Sequence, residues 1–290
     1  MNGPIQVRAA AKLNLSLDVT GKLPDGYHAM KMVMLSVTLY DELTICLTNT
    51  PLVTARCNLP YIPQDRRNLA CRAARLFLDT VGMPQAGAQI RIRKRIPVGA
   101  GMAGGSADAA AVLRGLNQLT GANLSPAELR ALGLQLGSDV PFCVAGGAAL
   151  AQGRGELLTP LPPLPDCAIL ICKPAFSIST PELFSRLDLR KIRRRPDTDG
   201  LLEALSAGDT GKLARRMYNV FEDVLPPDCT AVGEIKRRLL TLGAQGAVMT
   251  GTGSAVFGLF DDDQIARAAY EQLRRDWREC FLCRPEQARP

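Results

Sequence analysis

The chain has one histidine and one tryptophan among 290 residues, and aromatic side chains make up only 5% of it. A single histidine, His28, excludes histidine-paired nucleophilic catalysis and any polyhistidine metal site. No apolar run reaches the roughly 18 residues that a membrane-spanning helix needs. The first residues, Met1 to Arg8, lack the basic-then-apolar form of a signal peptide. No Gly-Lys-Ser/Thr follows the chain's glycine-rich loop, which excludes a Walker A sequence, and the loop is not a Gly-x-Gly-x-x-Gly after a first Rossmann strand. Internal repeats and low-complexity segments are absent as well. Cysteine is present, but the nine residues are odd in number and scattered through apolar segments such as those of Cys46, Cys143 and Cys172. They read as reduced core thiols of a cytoplasmic protein rather than a disulfide framework. Cys280 and Cys283 have CxxC spacing without a second pair. On what reads as a C-terminal helix, they are structural rather than a zinc site.

What is there is ordinary in bulk: 47% hydrophobic and 22% charged residues, the balance of a globular protein long enough for two domains. A net charge of +7 suits a polyanionic small substrate and does not demand nucleic acid. The distinctive stretch is Pro97-Val98-Gly99-Ala100-Gly101-Met102-Ala103-Gly104-Gly105-Ser106-Ala107. The segment from Gln89 to Ile96 before it alternates like a strand, with three basic residues on one face. The Ala-rich segment after it predicts a helix beginning near Ser106. A glycine loop feeding a helix N-terminus presents free N–H groups and the positive end of the helix dipole, a combination suited to phosphate.

Along the chain, Ile5 to Val19 alternates as a strand, with Lys12 and Asn14 on the face opposite Leu13, Leu15 and Leu17. A turn, Gly21 to Gly26, leads into Tyr27-His28, and a second strand runs from Met32 to Leu47. Asn68 caps a helix, and Ser125-Pro126-Ala127-Glu128 is a capping box. Asp139 stands between a helix and an apolar segment, Phe142 to Leu150, that reads as a strand; locally it could serve only to cap or turn the backbone. A proline-dense linker suggests a domain boundary at 158/159. Arg186 to Arg195 carries six basic residues. Ala247–Thr250 and Ala255–Phe260 read as two strands joined by Gly251-Thr252-Gly253-Ser254, and a long terminal helix is expected from Asp263 to Cys283.

Three segments resemble, in order, the three motifs of the small-molecule kinases grouped with galactokinase, homoserine kinase, mevalonate kinase and phosphomevalonate kinase. They are the N-terminal strand with Lys12, the loop Pro97–Ala107, and Thr250-Gly251-Thr252-Gly253-Ser254. Ala11-Lys12-Leu13-Asn14-Leu15, Asp25-Gly26-Tyr27-His28 and Gly137-Ser138-Asp139-Val140-Pro141-Phe142 narrow the resemblance to the branch acting on a cytidine-diphosphate-linked methylerythritol. The resemblance implies an α+β fold of two domains, a ribosomal-protein-S5-like N-terminal half and a ferredoxin-like C-terminal half, with the active site in the cleft between them. It implies ATP-dependent phosphorylation of a C2 hydroxyl in non-mevalonate isoprenoid precursor synthesis. Asp139 would be the general base and Lys12 its cationic partner. Pro97 to Ala107 would wrap the ATP phosphates, supported by Gly251, Thr252 and Gly253. Ser106 is the candidate Mg²⁺ ligand. Asn14, Tyr27, His28, Thr180 and Phe184 map onto substrate contacts, Tyr27 and Phe184 sandwiching the cytosine and His28 reading its edge.

Some residues depart from that pattern. Asp108 replaces a common Asn and is expected to point away from the phosphates or to help hold Mg²⁺. Ala103 and Ala107 stand where glycine and serine are frequent. Arg186–Arg195 has no assigned role. The expected partner is a small molecule, with neither nucleic acid nor membrane, and the chain is expected to be a monomer or weak homodimer. The rival readings are homoserine or mevalonate kinase, a basic nucleic-acid-binding protein using Arg91–Arg95 and Arg186–Arg195, and a kinase fold that binds nucleotide without chemistry.

Overall fold

The computed structural model describes residues 3–190, 192 and 194–288. Lys191 and Arg193 of the basic stretch lie outside the described residues. In chain order the elements are β1 (Ile5–Lys22), β2 (His28–Thr48), β3 (Val53–Cys57), α1 (Leu69–Thr80), β4 (Gly87–Arg93), α2 (Gly104–Thr120), α3 (Pro126–Leu136), α4 (Val140–Ala145), β5 (Ala148–Gly153) and β6 (Leu157–Pro160). Then follow β7 (Ala168–Lys173), α5 (Thr180–Arg186), α6 (Thr198–Ser206), α7 (Thr210–Arg216), β8 (Tyr218–Asn219), a 3₁₀ turn over Val220–Val224, α8 (Thr230–Thr241), β9 (Gly246–Met249), β10 (Val256–Phe260), α9 (Asp263–Asp276) and β11 (Glu279–Cys283).

These elements form two compact units that interleave along the chain. The first contains residues 1–11, 39–96 and 103–146. In it β4 pairs antiparallel with the second half of β2, from Glu42↔Arg93 to Thr48↔Gly87, and parallel with β3. Helices α1 to α4 pack on one another. Asn68 caps α1 by accepting from the Ala70 N–H at 2.9 Å, and the Ser125–Glu128 capping box opens α3, as their sequences predict. Helix α2 is buried nearly all round through Ala107–Leu113, which its run of alanines permits without crowding. The apolar segment after Asp139 is not a strand. Val140–Ala145 is the short helix α4, begun by Val140-Pro141, and the strand β5 starts only at Ala148.

The second unit contains residues 12–38, 97–102 and 147–290. Here the first half of β2 pairs antiparallel with β5, β5 with β6, and β1 runs parallel to β8 through Ser16↔Tyr218 and Leu17↔Asn219. A separate antiparallel sheet has the order β11-β7-β10-β9, and α8 and α9 pack on it. The positions 158 and 159, where composition suggests a boundary, both fall within β6 of this unit. The terminal helix ends at Asp276. Cys280 and Cys283 lie on strand β11, facing Cys172 and Ile169 of β7, so the CxxC pair is strand and not helix. Continuing α9 would forfeit the pairing by which β11 covers the outer side of β7.

Seven of the nine cysteines are buried, and only Cys46 and Cys57 are half-exposed. Burial pushes the Cys71 thiol up to about 11 and the Cys167 thiol up to about 12. Since the thiolate is the reactive form, native protein is expected to react fast with a thiol reagent only at Cys46 and Cys57. Peptide mapping of a brief alkylation checks this, and early labelling of Cys172 or Cys283 would contradict it. Among the described residues no helix is long and apolar enough to cross a membrane.

Candidate active site

Strand β1 is buried on both faces from Ala9 to Val19. Lys12 and Asn14 are therefore inside, 4% and 0% exposed, rather than on a solvated face. A buried ammonium must spend its N–H groups on acceptors. Lys12 Nζ donates to Asn14 Oδ1 at 2.6 Å and to the Gly101 carbonyl at 2.7 Å. Asn14 Oδ1 also accepts from the Gly251 N–H at 3.0 Å and the Thr250 hydroxyl at 3.3 Å, while the Asn14 N–H donates to Thr250 Oγ1 at 3.0 Å. Asn14 Nδ2 completes its valence against Met32 Sδ at 3.5 Å. Strand, glycine loop and Thr250 turn thus meet on one polar cluster.

The backbones approach too closely for side chains. A Cβ on Gly101, whose φ is +74°, would stand 2.1 Å from the Thr250 carbonyl oxygen. A Cβ on Gly251 would stand 2.6 Å from the Gly101 carbonyl oxygen and 3.1 Å from Lys12 Nζ. Glycine at 101 and 251 is the condition for the cluster to close.

Asn219 was not legible as part of this site. It is fully buried, and its Nδ2 donates to the carbonyls of Met249 and Gly251, both at 2.8 Å. Glu222 adds an acceptor for the Met249 N–H at 2.8 Å. Together they hold the end of β9 and the Thr250–Gly251 turn. An asparagine set among apolar neighbours was the only signal available, and it does not say which carbonyls the side chain will find. Thr180 and Thr252 share a hydroxyl–hydroxyl bond of 2.8 Å.

The aromatic residues sort differently from the expected sandwich. Phe184 faces His28, not Tyr27, with ring centroids 4.6 Å apart and planes inclined by 31°. Its edge contact is Phe221, at 4.9 Å and 79°. Tyr27 is 58% exposed and carries the Arg154 guanidinium 4.8 Å from its ring centroid. The Asp25 side chain accepts the Tyr27 N–H at 3.0 Å and bends the chain there, which turns the two neighbouring rings apart. Burial, and then the charge of Lys22, hold the His28 pKa below its ordinary value. At neutral pH the ring is uncharged, with one nitrogen donating and one accepting.

In the first unit, the glycine loop enters α2 through Ala103 at φ 55°, a left-handed conformation, with no side-chain capping bond. A left-handed alanine costs about 1 kcal/mol relative to glycine. The first N–H groups of α2 have no intrahelical acceptor, and a Cβ on Gly105 would meet nothing within 4 Å. Ser106 is half-buried in this first turn, and Ala107 is buried, its N–H donating to the Ala103 carbonyl at 2.8 Å. Asp108 does not reach toward a metal: it is 4% exposed, and its Oδ2 accepts from Lys94 Nζ at 2.8 Å.

Asp139 heads α4, half-buried, and its side chain makes no capping hydrogen bond. Its carbonyl accepts the Cys143 N–H at 3.1 Å, so the backbone does the helix work and the carboxylate is left uncommitted to it. Of the basic stretch, Arg195 donates to Asp18 Oδ1 at 2.5 Å and to the Val19 carbonyl at 2.6 Å, and the Arg194 guanidinium lies 4.6 Å from the Tyr218 ring centroid.

Comparison with known proteins gives a consistent set. The pattern of the GHMP kinases N terminal domain matches residues 68–147, and that of GHMP kinases C terminal matches residues 201–279. The chain is 44% identical over 278 residues to the 4-diphosphocytidyl-2-C-methyl-D-erythritol kinase of Acetivibrio thermocellus, covering 96% of this chain and 98% of that one. It is 43% identical to the protein of the same name from Alkaliphilus metalliredigens, over 96% and 95% of the two chains. A crystal structure of a 4-(cytidine 5'-diphospho)-2C-methyl-D-erythritol kinase superposes with a TM-score of 0.83 at 34% identity, covering 97% and 99%. A homoserine kinase from Cytophaga hutchinsonii, at 19% identity and TM-score 0.75, shares the fold.

Proposed function

Because the chain belongs to the GHMP kinase family, we propose that it transfers the terminal phosphoryl group of ATP to the C2 hydroxyl of 4-diphosphocytidyl-2-C-methyl-D-erythritol. The observation that carries this reading is the buried Lys12 ammonium, bonded at once to Asn14 and to the Gly101 carbonyl of the glycine loop. It supplies a fixed positive charge beside a loop suited to phosphates. Phosphoryl transfer is catalysed mainly by positioning and by charge stabilisation, which is what such a group offers.

The acceptor is a tertiary alcohol and a poor nucleophile. Asp139 takes its proton as the hydroxyl oxygen bonds to the γ-phosphorus and the bond from phosphorus to the leaving ADP oxygen breaks. Lys12 steers that hydroxyl and counters the charge of the transition state. The uncapped first turn of α2 and the glycine loop cradle the phosphates with N–H groups. Mg²⁺, when bound, would supply charge neutralisation for the transferred phosphoryl group, and the Ser106 hydroxyl is the residue that would help hold it. Among the described residues no group of three or more His, Cys, Asp or Glu could hold a metal ion. The His28–Phe184 pair supports a pyrimidine: Phe184 offers a stacking face, and uncharged His28 offers one donor and one acceptor.

ADP release from Mg-ATP, measured with the cytidyl substrate beside homoserine and mevalonate, tests the reading. Turnover is expected with the cytidyl substrate alone. Preference for homoserine or mevalonate would move the chain to another branch of the family. No turnover with any acceptor, in folded protein, would overturn the kinase reading.

A further inference from the structure

Around the segments that flank the glycine loop in sequence lies a cluster of buried ionisable side chains that the chemistry above does not use. Asp41 of β2 is fully buried, Lys94 just after β4 is 9% exposed, and Asp108 of α2 is 4% exposed. Lys94 Nζ donates to Asp41 Oδ2 and, at 2.8 Å, to Asp108 Oδ2. The second oxygen of Asp41 accepts two successive backbone N–H groups, those of Arg95 at 2.6 Å and Ile96 at 2.8 Å. Asn58 holds the preceding residue from both sides: it accepts the Lys94 N–H at 2.7 Å and donates to the Lys94 carbonyl at 3.2 Å. The first residue of α2 rests on the same group, since a Cβ on Gly104 would stand 3.1 Å from both Lys94 Nζ and Ile96 Cγ2.

Burying three ionisable groups is a poor way to gain stability, and well-packed apolar residues would often serve as well. What this arrangement gains is geometric. Residues 94–96 enter the glycine loop, and Gly104–Asp108 leave it. One ammonium ties the two ends, and one carboxylate fixes the backbone of the entering end.

We infer that Asp41, Lys94 and Asp108 form a positioning device for the nucleotide, locking the entrance of the glycine loop to the first turn of α2 so that its N–H groups stand ready for the phosphates. This rests on the reading that the loop takes ATP. None of the three needs to touch the nucleotide. Loss of the tie lets the loop ends move apart, so the cost falls on ATP and not on the phosphoryl acceptor.

The test measures ATP dissociation constants by equilibrium titration, with KM for ATP and for the alcohol substrate alongside. Asp108→Ala is expected to weaken ATP about tenfold or more, a typical cost of misplaced binding groups, with KM for the alcohol within about twofold of wild type. Asp108→Asn keeps the size and an oxygen acceptor for Lys94, and it is expected to restore ATP affinity to within about threefold. Asn58 is exposed, so Asn58→Ala should fold even where Asp108→Ala does not, and it is expected to weaken ATP about threefold. A scaffold role alone would lower the melting temperature and leave KM for ATP where it was. That result, or unchanged ATP affinity in Asn58→Ala, would overturn the inference. Wild-type protein that binds no ATP would instead overturn the reading of the loop itself.

Discussion

Asp139→Asn is expected to lower turnover about 10²-fold or more while leaving ATP affinity and thermal stability close to those of the wild type. The reason lies in how the residue is held. It heads α4, yet its side chain makes no capping bond, and the helix is begun by backbone hydrogen bonding together with Val140-Pro141. Exchanging carboxylate for amide removes a proton acceptor and breaks no structural contact of the cap. An aspartate that merely capped the helix would behave in the opposite way. Its loss would cost roughly 1 kcal/mol of stability and spare the rate. Steady-state turnover and a melting curve on the same preparation separate the two, and turnover within about threefold of wild type would remove Asp139 from the role of base.

Lys12→Met is expected to be as damaging to turnover, by about 10² to 10³, but to carry a stability cost that Asp139→Asn does not. The methionine fills much of the volume and supplies no N–H. The Gly101 carbonyl then loses its ammonium donor, while Asn14 Oδ1 keeps the Gly251 N–H and the Thr250 hydroxyl. The Gly101 carbonyl is half-buried and retains only the shared Thr250 hydroxyl at 3.4 Å, so the loss costs about 1 kcal/mol. For a chain of this size that corresponds to a melting point lower by a few degrees. Lys12→Arg should not rescue, because a planar guanidinium cannot occupy a site built around one point charge between Asn14 and Gly101. Calorimetry with initial rates checks both parts. A Lys12→Met protein that turns over within about threefold of wild type would sink the electrostatic role of Lys12.

The helix starts were legible because their causes are local. Asn68, and Ser125 with Glu128, satisfy N–H groups two or three residues away, so the sequence suffices. The same local logic misread Phe142–Leu150 as a strand. A short apolar run has the same composition in a buried helix as in a strand, and the left-handed Gly146 and Gly147 inside it divide it into α4 and β5. It also carried the terminal helix too far. Nothing local stops α9 at Asp276, but β7 has an edge to cover, and Glu279–Cys283 pair with it. For the aromatic residues, the sequence does not say which rings meet. The Asp25 turn decides that His28 and not Tyr27 meets Phe184.

By itself the sequence determined the strand–loop–helix unit, the glycines that the unit requires, the order of the motifs and their kinship with a kinase family. The unit and its glycines follow from periodicity, φ preference and capping, which act over a few residues, whereas the kinship rests on the resemblance of the motifs to those of known kinases. Only the tertiary structure decided what Lys12 and Asn14 do. Their partners Gly101 and Thr250 lie 89 and 236 residues away along the chain. The same holds for Asp108, a lone acid in the sequence and one arm of a buried ion cluster in the fold. A buried polar side chain must find an acceptor or donor, but the register of distant strands chooses which one.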